Sequence, residues 1–125
     1  VFINGTVLQD VSDKALSVGE QSKVVATSIT MEEVGTGVAS KDGSSLTISE
    51  SSIKKARFFG LIAYIKKPEY GPASIDARNM KFEEAGVRAR VQKGSYLLLE
   101  GEQVKAEDMD VEQLYETIMK PGLKK

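Results

Sequence analysis

The sequence predicts a mainly β fold: a small β-barrel or β-tulip-like domain with one short C-terminal α-helix. Three observations carry this. The longest apolar run, Arg57-Phe58-Phe59-Gly60-Leu61-Ile62-Ala63-Tyr64-Ile65, is too short for a bilayer and has the length of one strand buried on both faces. Other runs rich in β-branched residues end at Gly, Asn or Asp. Only the residues after Asp110 change to a helical period. Residues 1–125 read as one domain, with 1–5 as an N-terminal arm and 110–120 as the helix.

In chain order, Val1-Phe2-Ile3 is expected as an edge strand or an arm that docks on a neighbour. Asn4-Gly5 turns the chain into the strand Thr6-Val7-Leu8-Gln9. Asn4-Gly5-Thr6 also matches a glycosylation sequon, which the turn explains as well. Val11 to Gln21 is polar and reads as a loop. Lys23 to Thr30 reads as a strand that Met31 to Val34 continues or turns out of, before a flexible Gly35-Thr36-Gly37.

Asp42-Gly43, between Val38-Ala39-Ser40 and Ser45-Leu46-Thr47-Ile48, predicts a β-hairpin, since both residues tolerate positive φ. Ser49 to Ser52 reads as a solvated link. After the central apolar strand, Lys66 to Ala73 holds two prolines and a glycine, an exposed excursion. With no clear period through Asn79, 66–80 is the candidate functional loop.

Val87, Ala89 and Val91 alternate with Arg88 and Arg90, one face buried and one cationic. Lys93-Gly94 is expected to turn this strand into Tyr96-Leu97-Leu98-Leu99 as a second hairpin. Val111, Leu114, Tyr115, Ile118 and Met119 then fall on one helix face. Asp110 can cap it, with Gln113 as capping-box partner; Lys120 suits its C-terminal end and Pro121-Gly122 stops it. No internal repeat is evident.

The composition restricts the chemistry. With no cysteine and no histidine in 125 residues, there is no disulfide, no thiol nucleophile, no imidazole base and no common transition-metal ligand. The expectation is a protein that is not an enzyme and needs no cofactor. No apolar run reaches membrane-spanning length, and Val1 to Gly5 lacks the pattern of a signal peptide. The net charge of -1 hides an uneven spread: residues 54–94 carry ten basic and four acidic groups, between two acidic flanks. Such a middle suits a polyanion, or is satisfied within the fold or by copies of the chain itself.

Motifs with a chemical reading are outweighed by plainer ones. Gly35-Thr36-Gly37-Val38-Ala39-Ser40 lacks the last glycine of a dinucleotide fingerprint. Asp108-Met109-Asp110 with Glu112 lacks the glycine of a calcium loop, and helix capping explains its acids. Arg88, Arg90 and Lys93 with Tyr96 and Tyr64 could form an OB-like surface for single-stranded nucleic acid, although the chain is slightly acidic and poor in aromatics. Paired carboxylates at Glu83-Glu84 and Glu100/Glu102 have no third group and read as surface charge.

Residues 56–105 resemble the core of head decoration, or cement, proteins of tailed bacteriophages. The likeness lies in the order Phe58-Phe59-Gly60-Leu61-Ile62-Ala63, a Pro/Gly excursion, Val87-Arg88-Ala89-Arg90-Val91, Lys93-Gly94 and Tyr96 to Leu99. It implies a virion structural protein on the capsid surface, a homotrimer that binds the major capsid protein at its junctions and has no enzymatic activity. Val1, Phe2, Ile3, Arg88 and Arg90 are then the expected protein-contact residues. The helix departs from the family, which has a strand near Val104 to Asp110. Two alternatives remain: a phage tail-tube or connector subunit, and the OB-like binder.

Overall fold

The computed structural model describes residues 1–119. Its strands are β1 (Phe2–Asn4), β2 (Val7–Val18), β3 (Lys23–Thr27), β4 (Thr30–Lys41), β5 (Ser45–Tyr64), β6 (Ser74–Glu83), β7 (Val87–Val91), β8 (Tyr96–Leu99) and β9 (Glu102–Gln103). All pair in parallel except β8 with β9. Phe2 lies beside Val25, Val25 beside Thr47, Thr47 beside Asp76 and Asp76 beside Leu98. Those steps are 23, 22, 29 and 22 residues. Strands that recur beside themselves at a fixed step make a winding coil, so the chain is a parallel β-solenoid. The mainly β expectation holds, and the sheet winds along an axis where a barrel would close.

The same residues produce the coil through stacks. Val24, Leu46, Ile75 and Leu97 lie one above another, as do Ala26, Ile48, Ala77 and Leu99. A third stack runs Leu8, Met31, Ile53, Phe82. Each inward side chain buries itself against the one a coil away, about 4.8 Å distant, so a rung alone has no core and a pile of rungs has a continuous one. Corners are made by left-handed residues: Gly5, Ser28, Glu50 and Asn79 at one, Asp10, Glu33, Lys55 and Glu84 at the next. The third corner lies at 19–22, 42–44, 65–73 and 92–95, where the chain passes to the following coil.

Both expected hairpins are therefore absent. Asp42-Gly43 is a turn, with φ of 56° and 74°. The strands it joins, β4 and β5, run parallel, with Thr30 beside Ser52 and Lys41 beside Tyr64. β7 pairs with β5, but Lys93-Gly94 sends β8 to β6 instead of back along β7. The chain does have an internal repeat, against expectation: it is the coil itself. The polar stretch Val11 to Gln21 is mostly strand, because β4 supplies a parallel ladder for it as far as Val18, broken by one bulge between Val11 and Lys14. Gly35-Thr36-Gly37 is buried within β4, and Ser49 to Ser52 lies in β5 with Ser51 buried. Of the loop expected over 66–80, only 66–73 loops out, around a 3₁₀ turn at Pro68–Tyr70, and Ser74 begins β6.

The run 57–65 is apolar on both sides for a reason now visible. Leu61 and Ala63 face the solenoid interior, while Phe59, Ile62 and Tyr64 belong to a second cluster on the outside. That outer cluster is covered by helix α1 (Val111–Leu114) and the π-helical turn that continues it (Tyr115–Met119), through Leu114 and Tyr115. Asp110 caps α1 as expected, accepting from the Gln113 amide at 3.0 Å. The proposed roles of Lys120 and Pro121-Gly122 lie outside the described residues.

Candidate functional site

The two ends of the solenoid differ. At the far end the chain folds back: β9 pairs antiparallel with β8, and the Glu107 amide and carbonyl bond Val91 and Lys93. Val104 and Ala106 pack on the core there. Glu100 completes this lid, its two carboxylate oxygens accepting from the Asn79 and Met80 amides at 2.8 Å each. These bonds favour the charged form, so its pKa lies below the ordinary carboxylate value.

No segment among the described residues covers the first coil in this way. Among the described residues, β1 pairs only with β3, and β2 only with β4. One edge of both strands thus offers unpaired amides and carbonyls. The interior stacks record the same asymmetry. Ala26, Met31, Val34 and Val38 are completely buried. Their first-coil partners Ile3, Leu8, Val11 and Leu16 are only half-buried, since each has a neighbour on one side alone. Val1, Phe2 and Val7 are 83%, 67% and 62% exposed, the three most exposed large apolar residues described.

Of the expected contact residues, Val1, Phe2 and Ile3 fall on this edge. Val1 is tied down, its ammonium on the Lys23 carbonyl at 3.0 Å and its own carbonyl on the Val25 amide. Arg88 and Arg90 lie elsewhere, on β7 in the fourth coil, about 14 Å further along the axis at one rung per 4.8 Å. The Arg88 guanidinium lies 5.6 Å from the Phe82 ring centre, and that of Arg90 lies 5.9 Å from Phe59. Arg90 also pairs with Glu107 at 3.7 Å, and Lys93 with Asp108 at 3.6 Å. The stacking platform expected for nucleic acid is not assembled: Tyr64 is buried, and Tyr96 starts the next coil.

A second cluster was not expected from the sequence. Three lysine ammoniums, of Lys14, Lys41 and Lys66, lie 5.3, 5.8 and 4.0 Å from the Tyr115 ring centre. The Tyr115 and Tyr64 hydroxyls are 2.7 Å apart, and burial drives the Tyr64 pKa upward, so it stays neutral. Cation–π attraction and this hydrogen bond fasten the helix to the wall. A concavity of about 390 Å³ adjoins it, lined by Lys66 and Tyr115 together with Asp110, Glu112 and Glu116. Its charges are mixed in sign. Among the described residues no group of three acidic side chains is placed to hold a metal ion, including Asp108 and Asp110.

Comparison with protein-family models, curated proteins and solved structures finds no match to the chain.

Proposed function

We propose that the chain is a structural protein that acts by adhesion through exposed apolar side chains on its first coil, and that it carries out no reaction. The observation behind this reading is the exposure of Val1, Phe2 and Val7, the three most exposed large apolar residues described. Large apolar side chains exposed together on one coil are the kind of surface that protein contacts use. The absence of histidine and cysteine from the sequence supports the non-catalytic half.

The specific setting we propose follows the phage resemblance: a decoration protein on the virion capsid surface, self-associating as a homotrimer and binding the major capsid protein. That likeness now rests on residue pattern alone, since Val87–Val91 and Tyr96–Leu99 occupy different coils. The test uses the double variant Phe2→Glu with Val7→Lys, both exposed and so compatible with folding. Wild-type protein should co-sediment with expanded capsids and raise the temperature at which they release DNA. The double variant should do neither. Equal behaviour of the two would remove the first coil from the function; rings or tubes in negative stain would move the protein to the tail.

A further inference from the structure

A concavity of about 440 Å³ runs along the first corner of the solenoid, across three successive coils. Two columns of side chains line it. Ser28, Glu50 and Asn79 hold left-handed corner positions, with φ of 57°, 50° and 55°. Two residues further on, Thr30, Ser52 and Lys81 lie one beside another in the ladder. The rows of this grid are about 4.8 Å apart. Among the described residues, none of these six side chains makes a hydrogen bond or ion pair with another part of the protein. The floor beneath them is closed: the Ser51 hydroxyl accepts from the Ile29 amide at 3.0 Å and donates to the Ser49 carbonyl at 2.8 Å.

The lining excludes several classes of ligand. It has no aromatic ring on which a base could stack. Its one ammonium, on Lys81, is balanced by the Glu50 carboxylate, so a polyanion gains little. The main chain is already engaged. The Thr30 amide bonds the Thr6 carbonyl, the Ser52 amide bonds the Ile29 carbonyl, and the Asn79 and Met80 amides go to Glu100. Strand addition therefore has no edge to use at this corner. What remains is three hydroxyls, a carboxylate, a carboxamide and an ammonium, donors and acceptors set in successive rows. An uncharged chain whose groups both donate and accept, repeated at a similar spacing, matches this grid. A chain of sugars has those properties.

We infer that this groove binds a neutral glycan, laid along the solenoid axis at about one sugar unit per rung. The three hydroxyls exchange hydrogen bonds with those of the sugars, Glu50 accepts from them, Lys81 donates to them, and Asn79 does both. This contact lies apart from the apolar first coil. It adds a ligand to the adhesive reading without depending on it.

The test is an NMR titration of the full ¹⁵N-labelled chain with cellohexaose, maltohexaose and chitohexaose in turn, with dextran sulfate as the charged comparator. At least one neutral hexamer should shift the amides of residues 28–30, 50–52 and 79–81 saturably, and added salt should leave its affinity unchanged. Glu50→Gly with Asn79→Gly removes two lining side chains at positions whose positive φ suits glycine, so the urea midpoint should hold. Affinity should nevertheless fall about tenfold or more, the worth of one or two hydrogen bonds. Lys81→Ala, at an exposed position, should weaken binding as well. No shift with any of the three hexamers would overturn the inference, as would equal affinity of the double variant and the wild type. Shifts at the groove with dextran sulfate alone, lost in salt, would make it an anion site and overturn the glycan. The capsid assay with Phe2→Glu and Val7→Lys judges the adhesive reading separately.

Discussion

Asp42 holds the excursion 65–73 against the solenoid. Its carboxylate is fully buried, and one oxygen accepts from the Lys66 and Lys67 amides at 2.7 and 2.6 Å. Those amides leave the β5 ladder at the loop and would otherwise lack partners. Asp42→Ala should therefore cost about 1–3 kcal/mol and open the loop to protease between Lys66 and Ala73; unchanged urea midpoint and cleavage would refute this. The tyrosine pair predicts an asymmetry. Tyr115→Phe leaves the buried Tyr64 hydroxyl without its 2.7 Å partner, at about 1–3 kcal/mol. Tyr64→Phe should cost less, because the Tyr115 hydroxyl still meets the Lys41 ammonium at 3.4 Å. Urea titration of both variants checks the order.

At the level of elements, the coils pack too closely to accept extra atoms at some glycines. A Cβ on Gly37 would lie 2.7 Å from the Gly60 carbonyl and 2.8 Å from the Ile53 side chain. Gly37→Ala should lower stability by about 1–3 kcal/mol or more. The lid makes a pH prediction. Because the folded-state pKa of Glu100 is depressed, its stabilisation is present above the unfolded value near 4.5 and fades as pH falls through the folded one. Glu100→Gln should weaken the protein at pH 7 and flatten its loss of stability in acid, read from denaturation midpoints at pH 7 and 3. The α1 cap was legible because Asp110 and the apolar period lie within a few residues of each other. The ends of β2 and β4 were not, since a polar strand needs a ladder from residues 22 positions away.

Over the whole molecule, the open first coil should also be the first to loosen. Hydrogen exchange should be fastest among the rungs in β1 and β2 and slowest in β5, which has neighbours on both sides along its length; uniform protection would contradict the asymmetry of the ends. Strand content was legible from β-branched runs, yet the repeat was not. Its stacks exchange Ile for Ala, as in Ile3, Ala26, Ile48, Ala77 and Leu99. Its corners share a backbone angle rather than a residue, as Gly5, Ser28, Glu50 and Asn79 do. The longer third coil then shifts the phase by seven residues. The parallel run of β4 beside β5 looks locally like a hairpin, because the Asp42-Gly43 turn chemistry is the same in both. The open edge could be suspected from Val1-Phe2-Ile3, but its extent depends on a winding that no local window contains.

That longer coil also has a practical meaning. The chain leaves β5 at Tyr64, wanders for nine residues and re-enters at Ser74 in step with Ser45. The winding thus already tolerates a detour at this junction without losing its place. Epitopes or tags spliced between Pro68 and Gly71 should be displayed on a scaffold that keeps its pitch, whereas the same graft at Gly94 would disturb the closing turns.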